Sequence, residues 1–215
     1  MCTKSQKQEH EHTASNASCV IAGLLVVSAL VLSACGEATD GSMRSRESAQ
    51  SRDVAAIPTY TIDSDLRDRS GVETVTGANL DAALSGVRPN NNGLIGLGQV
   101  FVDVAREQGL NPLYIAAHAA WESAWGTSNI FNDKNNLFGY GARDSCPYEC
   151  ALSFDSKEDG VRHAIPLIKG DYLVEGGRYY NGPTLSGMNV RYATDQNWKN
   201  GIASIMNSLA ARISQ

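Results

Sequence analysis

The chain has 215 residues, a formal net charge of −5 at pH 7 and five cysteines. This length allows one ample domain or two small ones. The acidic balance, without clustered Lys or Arg, argues against nucleic acid as a partner, because phosphate neutralisation needs such clusters. Apolar residues are concentrated near the start and again after residue 78. We therefore predict an export segment, a polar linker and one C-terminal domain.

The first predicted element is an uncharged apolar run at residues 20–32. It is too short to span a bilayer comfortably and has the length of a signal-peptide core. The run ends in L-S-A-C at residues 32–35, which resembles the lipobox of bacterial lipoproteins. That resemblance implies removal of residues 1–34 and lipid attachment at Cys35. We expect an extracytoplasmic protein anchored to a bacterial membrane, with a secretory signal and an incidental cysteine as the alternative.

Residues 35–77 are predicted to form a lipidated flexible tether. They are rich in charged and small polar residues and have no sustained apolar period. Such a segment cannot bury enough apolar surface to offset the loss of chain entropy. Residues 78–215 are predicted to form a single domain, which we expect to be monomeric.

Within this domain the apolar residues recur at helical spacing, with glycine or capping residues at the ends of the periodic segments. Helices are predicted near residues 80–86, at residues 97–108 before Gly109, after Asp155 or Ser156, and after Thr194 or Asp195. Residues 176–190 are expected to be irregular because they contain four glycines and a proline.

The central predicted helix covers residues 112–126 and has no polar face. A helix of this kind is surrounded by protein on nearly every side. Glu122 is its only acid, and a carboxyl removed from water titrates above a free glutamate. A carboxyl that keeps its proton at neutral pH can act as a general acid. The alternative is a structural glutamate held by His118, one turn earlier.

The segment after this helix, up to about residue 154, is rich in Asn and Gly with short aromatic runs. This composition predicts a small lobe of two or three strands. Cys146 and Cys150 are expected to form a disulfide in an exported protein. The loop is short, so the bridge should shape a local turn rather than hold the fold together. A half zinc site is the alternative, but a second close pair of ligands is missing, and we predict no metal site.

Three motifs in order resemble a known family. They are A-A-W-E-S-A-W-G-T-S at residues 119–128, N-N-L-F-G-Y-G-A at 135–142 and R-Y-A-T-D at 191–195. Together they resemble the bacterial peptidoglycan-cleaving N-acetylglucosaminidases of glycoside hydrolase family 73. The resemblance implies an α+β, mostly α, lysozyme-like fold, with a helical lobe and a small β lobe flanking a cleft. It also implies hydrolysis of the β-1,4 bond after N-acetylglucosamine, with Glu122 as proton donor and no cofactor.

The resemblance also suggests roles for other residues. Tyr192 resembles a residue oriented toward the reacting sugar. A second catalytic group is needed to stabilise or attack the sugar cation, and the candidates are Asp144 and Glu149. The substrate's own acetamido group could replace a protein nucleophile. The candidate substrate-binding residues are Trp125, Asn136, Phe138 and Tyr140.

Other functions remain as alternatives. A lytic transglycosylase or muramidase shares the single-glutamate helix but cuts on the other side of the disaccharide. A non-catalytic wall-binding lipoprotein could keep the same cleft. Metal catalysis is disfavoured, because His118 and Glu122 offer two ligands and no third is evident.

Overall fold

The computed structural model describes residues 56–215, which fold as a mostly helical domain. The predicted signal segment, Cys35 and the first part of the predicted tether lie outside the described residues. Within the described part of the chain, no helix has both the length and the apolar character needed to cross a membrane. The helices are α1 (Gly77–Val87), α2 (Gly98–Gln108), α3 (Pro112–Glu122), α4 (Asn129–Lys134), α5 (Lys157–Ile168), α6 (Leu185–Tyr192) and α7 (Trp198–Ile213).

The first two helices begin and end where capping chemistry requires. Thr76 and Asn79 form a reciprocal capping box at the start of α1. Gly109 ends α2 in the left-handed conformation, with φ 61°, as the sequence predicts. These helices pack against each other, and α2 also packs against α3.

Helix α3 is buried along nearly its whole length, as its apolar sequence predicts. Its start is set by Asn111, whose side-chain oxygen accepts from the backbone N–H of Leu113 at 2.9 Å, and by Pro112 in the first turn. The helix ends at Glu122 instead of continuing to Gly126, because the backbone turns left-handed at residues 124 and 125. Glu122 is therefore the last helical residue.

Helix α7 lies against α1 and α3 and completes the helical body. A β-carbon at Gly201 would overlap the ring of Trp121 on α3. The absence of a side chain at Gly201 therefore allows the Trp121 ring to lie directly on α7. This close approach brings the first turn of α7 next to the end of α3.

The segment before α1 belongs to the domain, which differs from the predicted tether boundary at residue 77. Four of its apolar side chains are buried in the core: Tyr60, Leu66, Val72 and Val75. The amide of Asn207 on α7 pairs with the Tyr60 backbone, accepting from its N–H and donating to its C=O, each at 2.8 Å. The apolar residues are too sparse to show a period, yet each packs against the helical body.

The predicted small lobe of strands is not formed, and this part of the fold prediction is wrong. Among residues 56–215 the structure has no β-strand, and residues 135–154 form turns with one isolated bridge between Arg143 and Cys146. Side chains satisfy backbone groups that a strand neighbour would otherwise pair. The amide of Asn136, for example, donates to the C=O of both Tyr140 and Leu152 at 2.9 Å.

The predicted disulfide between Cys146 and Cys150 is present, with the two Cα atoms 5.4 Å apart. The backbone N–H of Cys150 also donates to the C=O of Cys146 at 2.9 Å. The bridge thus closes a single turn, which is the local role that its short loop predicts.

Several helical segments differ from the sequence-based expectation. Helix α6 lies in the region expected to be irregular, where Thr184 caps its first turn. A π-helical turn, Lys169–Leu173, continues α5, whose cap is Ser156. Helix α7 begins at Trp198, later than predicted. The short helices were missed because their apolar residues span too few turns to show a period.

Candidate active site

Glu122 lies where the buried helix α3 meets the surface. Its side chain is 13% exposed, whereas the residues of α3 before Trp121 are buried. The carboxyl is thus mostly enclosed by protein and keeps some access to solvent. A group in this position can receive and release a proton while remaining largely desolvated.

The carboxyl of Glu122 is held by a side chain from the other end of the domain sequence. The indole N–H of Trp198, the first residue of α7, donates to Glu122 Oε1 at 2.9 Å. Trp198 is 2% exposed. His118 Nε2 lies 3.5 Å from the same oxygen. Helix α3 and the first residue of α7 together therefore fix one carboxyl oxygen from the protein side.

A layer of aromatic rings lies beneath the carboxyl and surrounds His118. His118 is fully buried. Its ring centroid lies 5.0–5.5 Å from the rings of Tyr114, Phe138, Tyr192 and Trp198. The layer joins α3, α6, α7 and the turn after α4, so the position of Glu122 depends on the packing of all four.

Two phenols near Glu122 stay neutral. Burial, and then the nearby charge of Glu122, raise the pKa of Tyr192 well above its ordinary value. The same two causes, in the same order, raise the pKa of Tyr114. Neither phenol therefore supplies a competing negative charge beside Glu122. The raised pKa expected for Glu122 itself stays a prediction.

The residues that follow Glu122 form a tight turn closed by glycines. Ala124 and Trp125 have φ values of 52° and 62°, which cost energy for residues that carry a side chain. The turn is held by the N–H of Gly93, which donates to the C=O of Trp125 at 2.9 Å. A β-carbon on Gly93 would overlap the backbone of Gly126. The two glycines thus permit the close approach that fixes the turn.

Trp125, three residues after Glu122 in the sequence, is partly exposed. The Arg88 guanidinium carbon lies 5.8 Å from the centroid of its ring. A partly exposed indole can stack on a sugar ring. Trp125 therefore stays a candidate substrate-binding residue.

Two of the predicted substrate-binding residues lie inside the protein, and their role in substrate binding stays a prediction. Phe138 is fully buried, with its ring against His118. Asn136 is also buried, and its amide binds backbone groups of the turn that follows it. Both residues serve the packing of residues 135–154. Tyr140 is half-buried with its ring against His163, so it keeps some accessible surface.

Tyr192 is placed in the aromatic layer and not at the surface. Its side chain is 1% exposed and its ring contacts those of His118, Tyr172 and Trp198. This burial leaves the ring almost no exposed surface, and the predicted catalytic role of Tyr192 stays a prediction. The motif R-Y-A-T-D places Tyr192 in the aromatic layer and precedes Trp198 in the sequence.

Asp144 and Glu149, the predicted second acids, are both exposed; Glu149 lies on the turn closed by the disulfide, and Asp144 lies two residues before Cys146. Their role as a second catalytic group stays a prediction. Within residues 56–215, no group of three or more His, Cys, Asp or Glu side chains is arranged to hold a metal ion. The main site residue that the sequence analysis missed is Trp198. The signal was a tryptophan three residues after the third motif, at the start of an amphipathic helix.

The chain matches a family profile and curated relatives over this same region. A profile of the glucosaminidase family, described as mannosyl-glycoprotein endo-beta-N-acetylglucosaminidase, matches residues 98–211 and so spans Glu122 and Trp198. A Streptococcus pneumoniae protein that bears the name endo-beta-N-acetylglucosaminidase is 39% identical over 66% of this chain and 21% of its own length. A Bacillus subtilis beta-N-acetylglucosaminidase is 30% identical over 49% of this chain and 14% of its own length. The chain thus spans about a fifth or less of the length of these relatives.

Solved structures with similar coordinates include two proteins from S. aureus. Glucosaminidase B is 22% identical, with a TM-score of 0.48, over 70% of this chain and 64% of its own. Autolysin E, solved in complex with a muropeptide, is 22% identical, with a TM-score of 0.46, over 60% of this chain and 65% of its own.

Proposed function

The chain belongs to the glucosaminidase family, and on that premise we propose that it is a glycoside hydrolase that cleaves peptidoglycan. The bond cut is the β-1,4 bond after N-acetylglucosamine in the glycan strands of the cell wall. In this proposal the domain forms a lysozyme-like helical body. The turns at residues 135–154 lie beside the glycan, where a β lobe was predicted.

The observation that carries this proposal is the environment of Glu122. Its carboxyl is mostly enclosed and is held on one oxygen by Trp198. Trp125, three residues later in the sequence, is partly exposed. Glycoside hydrolysis needs an acid that protonates the leaving oxygen as the bond breaks. In our proposal Glu122 donates this proton, and Trp125 offers a flat face to a neighbouring sugar.

The test compares wild type with Glu122→Gln on purified peptidoglycan. The amide has nearly the same shape and cannot donate an acidic proton, so we expect lysis to fall at least about a hundredfold. The thermal midpoint should change little, because the amide oxygen can still accept from Trp198. Retained activity in Glu122→Gln would rule out the general-acid role, and an inactive wild type would favour the wall-binding alternative.

The products distinguish cleavage at the two possible bonds. Mass spectrometry of the released fragments should find N-acetylglucosamine at the reducing ends. N-acetylmuramic acid there would identify a muramidase, and its anhydro form would identify a lytic transglycosylase. Either result would contradict the proposed bond while keeping Glu122 as the acid.

The second catalytic group is proposed to be Asp144 or Glu149, with the acetamido group of the substrate as the competing possibility. Both acids are exposed, Glu149 within the disulfide turn and Asp144 just before it, so each can be replaced without disturbing the core. Loss of activity in Asp144→Asn or Glu149→Gln, with an unchanged thermal midpoint, would identify the protein group. Full activity in the double variant would favour acetamido assistance.

We further propose that the domain is carried by a lipid anchor at Cys35 and acts outside the cytoplasmic membrane. The support is the uncharged run at residues 20–32 followed by L-S-A-C. In a bacterial host fed labelled palmitate, the full chain should take up label and partition into detergent, whereas Cys35→Ala should do neither. Cys19→Ala is the matched control, and label in Cys35→Ala would refute the anchor.

A further inference from the structure

We propose that Trp198 is a positioning residue that assigns the transferred proton to Glu122 Oε2 and stabilises the carboxylate left behind. This inference deepens the proposed function and rests on it. It names a residue outside the three motifs and gives the two oxygens of the acid different tasks.

The hydrogen-bond geometry distinguishes the two oxygens. Trp198 Nε1 donates to Oε1 at 2.9 Å, and His118 Nε2 lies 3.5 Å from that oxygen. In a protonated carboxyl, the carbonyl oxygen accepts hydrogen bonds better than the hydroxyl oxygen does, and an indole can only donate. The N–H of Trp198 therefore favours the form in which Oε1 is the carbonyl oxygen and Oε2 carries the proton.

The donor is fixed in place before any substrate arrives. The Trp198 ring packs against His118 and Tyr192 at centroid distances of 5.3 and 5.0 Å. The chain leading into α7 is held by Asn189, whose amide donates to the C=O of Ala193 at 3.0 Å and of Asp195 at 3.1 Å. A buried indole with these contacts cannot turn away, so its N–H stays aimed at Oε1.

A fixed donor stabilises the product of proton transfer more than its reactant. When the proton moves from Oε2 to the glycosidic oxygen, the carboxyl becomes a carboxylate and the N–H bond to Oε1 becomes a charge-assisted one, which is stronger. The donor costs no reorganisation at that moment because it is already aligned. The charge of Glu122 is felt by two phenols, Tyr114 and Tyr192, which burial keeps neutral.

The direct test is a pH titration of Glu122 in the protein without substrate. The titration is monitored by NMR of carbon-13-labelled glutamate. Glu122→Gln identifies its signal. Removing the donor in Trp198→Phe, which keeps an aromatic ring, should raise the Glu122 midpoint by about one pH unit. The matched control is Phe138→Leu, which removes a ring that packs on His118 in the same aromatic layer but removes no N–H donor, and should leave the midpoint within about 0.2 unit.

An unchanged midpoint in folded Trp198→Phe would overturn the proposal. If that variant does not fold, the wild-type indole N–H signal of Trp198 serves instead: it should shift with the titration of Glu122 and stop titrating in Glu122→Gln. A signal that does not follow Glu122 would equally overturn the proposal. Because these measurements need no substrate, they fail or succeed independently of the bond that the enzyme cuts.

Activity supplies the second readout. The basic limb of the kcat/KM profile should move to higher pH in Trp198→Phe by the same amount as the Glu122 midpoint. The rate at the plateau should fall several-fold, because the acid is weaker and the carboxylate is less stabilised. If the plateau rate fell but the basic limb of the kcat/KM profile stayed at the same pH, Trp198 would have a merely structural role. That result would refute the assignment.

Discussion

Replacing Gly201 with alanine tests whether the contact between α3 and α7 holds the site together. Gly201 lies one turn after Trp198, and Trp121 precedes Glu122, so the contact is next to both partners of the indole hydrogen bond. A β-carbon at Gly201 would overlap three atoms of the Trp121 ring, so the ring or the helix must move.

The expected magnitude comes from two opposing effects. Overpacking of a tight contact costs about 1–3 kcal/mol. Alanine in a helix interior offsets up to about 1 kcal/mol of this through its helix propensity. With the full offset the net loss should be about 0–2 kcal/mol, which for a domain of this size lowers the thermal midpoint by up to about 8 °C. The hydrogen bond from Trp198 should lengthen as α7 shifts, so activity should fall as well.

The assay is thermal and urea unfolding of Gly201→Ala, with Gly170→Ala as the matched control. A β-carbon at Gly170 meets no atom within 4 Å, so that variant should be no less stable than wild type. Trp121→Ala removes the ring, and in that background Gly201→Ala should stabilise the domain by up to about 1 kcal/mol. The coupling between the two substitutions then equals the steric cost of about 1–3 kcal/mol. The steric explanation would be refuted if Gly201→Ala lost as much stability in the Trp121→Ala background as in wild type. It would also be refuted if Gly201→Ala alone were more stable than wild type.

The predicted substrate-binding residues and the disulfide give further tests. Trp125→Ala should raise KM for glycan several-fold and leave the thermal midpoint nearly unchanged, whereas Asn136→Ala should lower the midpoint by removing three hydrogen bonds from a buried turn, at about 1–3 kcal/mol. If the two substitutions changed the thermal midpoint equally, the assignment of Trp125 to binding and of Asn136 to packing would be contradicted. Replacing both Cys146 and Cys150 with serine should cost about 2 kcal/mol or less, because their loop is short. A loss of folding would show that the bridge holds more than its own turn.

The sequence predicted the parts of the fold that long apolar periods and caps determine. Helices α2 and α3 have such signals, since Gly109 stops the first and Asn111 with Pro112 starts the second. Helix α4 has six residues, too few for a period to emerge. The packed segment around Tyr60 and Leu66 was missed for a related reason, because its buried residues are isolated and receive their partners from helices far along the chain.

The catalytic and binding roles of the site residues stay predictions, but the structure shows where the sequence could and could not indicate burial. Glu122 was found because glutamate is rarely buried in an apolar helix unless it is paired or has a chemical role. Phe138 and Tyr192 belong to motifs, but their rings face His118 in the interior. A one-dimensional pattern does not indicate which side of a motif faces solvent, because that depends on the helices packed against it.

The arrangement around Glu122 makes the stability of the domain and the geometry of its acid depend on the same contacts. The donor and acceptor of the indole hydrogen bond are 76 residues apart in sequence, so no local segment can form it alone. It requires α3 and α7 to pack, and the ring of Trp121 on Gly201 is one of the contacts between them. A substitution that separates these helices should therefore weaken catalysis before it unfolds the domain, because a hydrogen bond is more sensitive to distance than apolar burial is.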